Sequence, residues 1–214
     1  MSRPTHRPQS AGLGLRACKG GAVVVCLARV DGQPRVVASR LLKSSIDGDR
    51  LSFEPYKVAA EMPYAAPGQP SAEALAAVEE GRRRQGRLAT AGLQDLLLQL
   101  KEAGCQPTVA GLLVNRAGWI TDLLGYSLAW PEHVPVAELL AVRDALRFAL
   151  AQCKLEVTEL DEKSLPDVAV TALGMSPGEI TERTKALGAA AGKPWRKEQK
   201  LACLAAWVAV QGRP

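Results

Sequence analysis

A Val-rich run at residues 21–30 (GAVVVCLARV) is long enough for a strand, and the Asp31-Gly32 pair behind it signals a two-residue hairpin. Residues 35–42 (RVVASRLL) read as a second strand, antiparallel to the first. After a turn at Asp47-Gly48-Asp49, residues 51–56 read as a short third strand. The pattern thus predicts an opening three-stranded meander.

Residues 63–70 (PYAAPGQP) are loop-like, and beyond them the period changes. Ser71 is placed to N-cap a helix, with Glu73 in the first turn, where the helix dipole favours negative charge. The helical pattern runs to about Ala103 and is amphipathic over 93–100 (LQDLLLQL), with Gly81, Gly86 and Gly92 as candidate breaks. Gly104 falls where a C′ glycine ends a helix. Residues 108–114 (TVAGLLV) form a continuous apolar run, as a strand buried on both faces does. A helix over 136–152, an alternating strand over 155–160 and a Leu- and Ala-dense helix over 195–210 complete the series.

The predicted order is strand, strand, strand, helix, strand, helix, strand, helix. A mixed sheet with helices on both faces satisfies the layer rule, so the expected class is α/β. The 214 residues suit one core, with no internal repeat. The expected organisation is a disordered polar tail over 1–10 (MSRPTHRPQS) and a single domain over 11–214. The tail lacks the apolar stretch of a secretory signal, and no apolar run approaches a membrane span.

This order is that of ribonuclease-H-like proteins, and the chain resembles the branch that holds the Holliday-junction resolvases. Leu13-Gly14-Leu15-Arg16, followed by Lys19-Gly20-Gly21-Ala22-Val23, is similar to the family's first strand, where Gly-Ile-Asp precedes a glycine and an apolar run. The stretch from Lys193 to Lys200, followed by Ala202, Ala205 and Ala206, resembles the closing helix, where an acid precedes an Ala-rich stretch. Asp161-Glu162-Lys163 is similar to an Asp-Glu-Arg found in some relatives. The resemblance implies a ribonuclease-H-like mixed sheet over residues 12–210.

The departures from the family pattern change the functional expectation. Family nucleases hold two metal ions about 3.5–4 Å apart between carboxylates, clamping both oxygens of a displacement. Here the first-strand acid position holds Arg16, and the acid after the fourth strand is replaced by Asn115, with Arg116 beside it. A guanidinium is always charged and cannot ligate a cation. The resemblance therefore implies a degenerate metal site. In it Arg16 pairs with Glu162 or Glu198, or joins Lys19, Arg116, Lys163 and Lys197 to contact phosphates or an acidic partner.

Three functional readings follow. The first is a non-catalytic domain that binds DNA, RNA or a protein partner and needs no cofactor. The second is a divalent-metal phosphodiesterase acting on structured DNA or RNA. It would use Glu138, Glu162 and Glu198 as catalytic acids, with Asp161, Glu162 and Glu198 as ligands of Mg²⁺ or Mn²⁺. The third is an interaction protein, such as a homodimer, with no nucleic-acid role.

Charge and cysteines add little to this. Lys and Arg total 27 against 22 Asp and Glu, an excess compatible with nucleic acid without requiring it. Five cysteines with no C-x-x-C spacing point to a reducing, cytoplasmic compartment and away from zinc. Gly12-x-Gly14-x-x-Ala17 precedes a Val-rich strand rather than opening a helix, which argues against a dinucleotide site. In Gly174-Met175-Ser176-Pro177-Gly178 the proline after the serine has no N–H for an oxyanion hole. Ser176 to Glu179 reads instead as a capping box. His133 is expected at a turn or cap. Arg82-Arg83-Arg84 is expected on a solvated face paired to Glu79 and Glu80. Trp207 belongs in the core, and Trp119 and Trp130 lie in the loop that borders the site in this fold.

Overall fold

The structure is a computed structural model that describes residues 9–66, 69–115 and 119–211. Three strands open it: β1 (Gln9–Cys18), β2 (Gly21–Val30) and β3 (Gln33–Lys43). Two short helices, α1 (Arg50–Phe53) and α2 (Pro55–Ala60), and a small hairpin, β4 (Tyr64–Ala66) with β5 (Gln69–Pro70), lead to the long helix α3 (Ala72–Glu102). Then come β6 (Cys105–Val114), α4 (Leu123–Ala129), α5 (Val134–Gln152) and β7 (Glu156–Asp161). Helices α6 (Leu165–Leu173), α7 (Pro177–Ala191) and α8 (Lys197–Gln211) follow.

The main sheet has the order β3-β2-β1-β6-β7. β1, β2 and β3 are antiparallel neighbours, whereas β6 runs parallel to β1 and β7 parallel to β6. The carboxyl ends of β1, β6 and β7 therefore share one edge. In open α/β sheets that edge is where ligands bind.

Helices cover both faces, as the pattern predicts. On one face α3 and α5 pack through Leu93, Leu96, Val142 and Leu146 onto Leu13, Leu15, Val24 and Leu112. On the other, α7 and α8 meet Val23, Val25 and Leu27, and α6 to α8 meet Leu113 and Leu160. β2 contributes to both layers by simple alternation of its side chains.

The opening meander has a different membership from that expected. Its first strand is residues 9–18, which includes Gln9 and Ser10 from the expected tail; residues 1–8 lie outside the described residues. Residues 51–53 and 55–56 belong to helices α1 and α2 rather than to a strand, with Glu54 as the joint between them. Pro55 sits at the start of α2, where its fixed φ and missing N–H suit a helix entrance, and Tyr56 is buried with Ala59, Ala74 and Val78.

The glycines of α3 do not break it. Gly81 is the point where α1 and α2 press onto the helix: a side chain there would collide with the Leu51 carbonyl and the Pro55 ring. Ser71 caps α3, its Oγ accepting from the Ala74 N–H at 3.2 Å, and Gly104 (φ 76°) follows the last turn. Ser176 and Glu179 form the expected capping box at the start of α7.

Candidate functional site

Arg16 lies near the carboxyl end of β1, in register with Leu113 of β6. Glu162 follows the last residue of β7, its N–H donating to the Val114 carbonyl at 2.8 Å. β6 runs between them, so the two Cα atoms belong to strands about 10 Å apart. Only a long side chain closes that gap. The Arg16 guanidinium does so with two parallel bonds, Nε to Oε2 at 2.9 Å and Nη2 to Oε1 at 3.0 Å. Both side chains are about one-quarter exposed. This fork-to-fork geometry fixes orientation as well as charge.

Lys19, in the turn after β1, sits 4.5 Å above the Phe53 ring and 3.7 Å from Glu54. Lys163 is exposed, and its backbone N–H donates to Asp161 Oδ1. Asp161 also accepts from the Ser164 N–H and hydroxyl, so it organises the turn into α6. Lys197 and Glu198 form the first turn of α8. Glu198 lies within electrostatic reach of Cys18, whose thiol is pushed up mainly by burial. Arg116 falls outside the described residues.

Glu138 does not join Glu162 and Glu198. It reaches from α5 to the N-terminus of α2, where its Oε1 accepts from the Tyr56 N–H at 2.8 Å and the Lys57 N–H at 2.9 Å. Its Oε2 is buried without a hydrogen-bond partner among the described residues. Burial pushes its carboxyl up to about 7, against the pull of those two N–H groups. Among the described residues, no group of three or more His, Cys, Asp or Glu could hold a metal ion. Of the carboxylates expected as Mg²⁺ or Mn²⁺ ligands, Glu162 is held by Arg16 and Asp161 accepts backbone N–H groups, while Glu198 stands on the first turn of α8.

Two clefts border the edge. One, of about 370 Å³, is lined by Arg16, Cys18, Lys19, Glu138 and Leu139. The other, of about 250 Å³, is lined by Arg82, Asn115, Thr121, Arg143, Asp144 and Arg147. Arg143 is not among the expected site residues. Its signal was present: Leu139, Arg143, Leu146 and Leu150 fall on one helical stripe, so the arginine interrupts an apolar face.

The remaining motifs take structural roles. Arg82 pairs with Asp144, Arg83 with Glu80, and Arg84 with both Glu80 and Asp49. The His133 ring stacks on Tyr126 at 3.9 Å, and its Nδ1 lies 2.8 Å from the Tyr126 carbonyl oxygen. Trp207 is buried, whereas Trp119 and Trp130 are exposed. The five cysteines are free. No helix of the described residues is long and apolar enough to cross a membrane.

RuvC of Thermus thermophilus aligns with this chain at a TM-score of 0.50 and 10% identity, covering 92% of each chain. T. thermophilus RuvC in complex with Holliday junction substrate gives 0.51 at 8% identity, over 93% of this chain and 91% of that one. This is the ribonuclease-H-like fold of RuvC. The yeast mitochondrial Holliday junction resolvase Ydc2 gives 0.45 at 11% identity, over 98% of this chain and 83% of that one. No family model and no curated protein matches the sequence. In this chain the edge is occupied by an arginine–glutamate pair and flanked by cationic side chains.

Proposed function

We propose that this chain is a ribonuclease-H-like domain that binds nucleic acid at the carboxyl edge of β1, β6 and β7 without cleaving it. The observation that carries the reading is the bidentate Arg16–Glu162 pair. The pair places a permanent cation where a metal-binding carboxylate is expected, and it uses both oxygens of the nearest acid. Lys19, Lys163 and Lys197, which stand beside Glu54, Asp161 and Glu198, are the cations this edge offers to phosphates. Support for a nucleic-acid partner also comes from the related fold of RuvC, one structure of which is a complex with Holliday junction substrate. Fold alone does not fix function, so the charge arrangement carries the argument.

The test is fluorescence anisotropy and gel analysis of labelled single-stranded, duplex and four-way-junction DNA, with Mg²⁺ and with EDTA, at two salt concentrations. The expected result is binding that weakens steeply with salt and leaves the DNA intact. Lys19→Ala and Lys197→Ala should each lower the salt slope by about one. Metal-dependent cleavage would overturn the non-catalytic reading in favour of a phosphodiesterase. Neither binding nor cleavage would turn the assignment to a protein partner or a second copy of the chain.

A further inference from the structure

Arg143 projects from the apolar stripe of α5 and is only 5% exposed. Its Nε has no hydrogen-bond partner among the described residues. An arginine cannot escape such a position by losing its proton, so a buried guanidinium calls for an anion. The carboxylates in reach are already engaged. Glu162 gives both oxygens to Arg16. Asp144 accepts from Arg82 and Arg147, each at 2.8 Å, and Glu159 accepts from Arg147 at 2.5 Å. Around this cleft Arg82, Arg143 and Arg147 face Asp144 and Glu159; Arg143 feels Glu162 and Glu159 electrostatically but forms no ion pair with either among the described residues.

The cleft has the size and lining to receive the missing anion. Its volume of about 250 Å³ is below that of drug-sized pockets and ample for a phosphate group. Asn115 and Thr121 add neutral polar groups to the rim. Arginine forks match tetrahedral oxyanions with parallel hydrogen bonds, which an ammonium cannot do.

We propose that this cleft is a phosphate-binding site, with Arg143 as its buried anchor and Arg82 and Arg147 at its mouth. The chemistry is that of a tetrahedral phosphate oxyanion, from a nucleic-acid backbone or from free phosphate. It lies beside the Arg16–Glu162 pair, and it stands independently of whether that edge binds DNA.

The test is thermal unfolding of the wild type, Arg143→Met and Arg143→Lys. Each is measured in sodium phosphate, in sodium chloride of equal ionic strength, and with the dinucleotide TpT, which carries one phosphodiester. Phosphate at ten times its Kd should raise the wild-type Tm by about 3–5 °C. Arg143→Met should abolish that rise, and Arg143→Lys should weaken affinity about tenfold. General salting-out would act on all three proteins alike. No rise in the wild type, or an equal rise in Arg143→Met, would overturn the proposal. If Arg143→Met does not fold, the wild type and Arg143→Lys decide: equal phosphate affinity in the two would overturn it. A TpT response lost with Arg143 supports the site as a backbone-phosphate contact. A response to inorganic phosphate alone supports it as a free-phosphate site. An Arg143-dependent phosphate response in a protein that binds no DNA leaves this site standing and removes the nucleic-acid reading.

Discussion

Replacing Glu138 by glutamine should make the protein more stable at neutral pH, by an amount that grows as pH rises. Glu138 is buried to 7% exposure, and burial lifts its carboxyl from an ordinary 4.5 to about 7. The folded state thus holds this proton up to about pH 7, whereas the unfolded chain releases it near 4.5. Between those values the unfolded state gains progressively, so the contribution of Glu138 is most favourable below pH 4.5 and is lost by about pH 7. Integrated over that window, the shift corresponds to about 3 kcal/mol. Glu138→Gln removes the ionisation yet keeps a carbonyl oxygen for the Tyr56 and Lys57 N–H groups. Urea unfolding of both proteins from pH 5 to 8, followed by the fluorescence of buried Trp207, gives the difference directly. The variant should gain roughly 2–3 kcal/mol on the wild type across that range. A difference constant within about 0.5 kcal/mol would refute the reasoning, because it would mean that folding does not perturb this carboxyl.

The Arg16–Glu162 pair should show a coupling of roughly 1–3 kcal/mol in a double-mutant cycle with Arg16→Met and Glu162→Gln, between the values for exposed and fully buried pairs. A coupling below about 0.3 kcal/mol in urea unfolding would reduce it to a surface contact. Gly14→Ala should destabilise by about 3 kcal/mol or more, because the added methyl would lie 2.6 Å from the Ala206 nitrogen and closer still to the Ala202 carbonyl oxygen. A Tm unchanged within about 2 °C would show that α8 packs farther from β1 than this.

The elements flanking the central strand were legible because their side chains do the packing. β2 alternates between two apolar layers, α3 has a capped start and a glycine end, and β6 is an unbroken apolar run. The central strand was hard to read by pattern because α8 packs against its backbone. Gly12 and Gly14 stand where an apolar pair would have announced a strand, and the Leu13–Arg16 segment emerged only through resemblance. Residues 51–56 misled for the opposite reason: Leu51, Phe53 and Tyr56 look like a strand but pack as short helices against α3. α4 and α6 are one- or two-turn helices, too short for a periodic signal.

The candidate site was legible to the same degree. Arg16 and Glu162 were named from sequence as alternatives to a metal site, and the structure joins them. The bonds Glu138 makes were not legible, because a carboxylate on a helix says nothing about the neighbouring helix whose N–H groups it accepts from. Arg143 was not expected at a site: its place on an apolar stripe is visible in the sequence, but that the neighbouring carboxylates are taken is visible only in the fold.

The direct seating of α8 on Gly14 and Gly111 also has an entropic side. With no side chains between them, the Ala202 and Ala205 carbonyls rest on the backbones of β1 and β6. The helix end carrying Lys197 and Glu198 is thereby locked to the strand end carrying Arg16. A ligand arriving at this edge meets charges on a frame already fixed in place. Little backbone freedom remains to be lost on binding, so the selectivity of the edge would come from its shape rather than from closure around the guest.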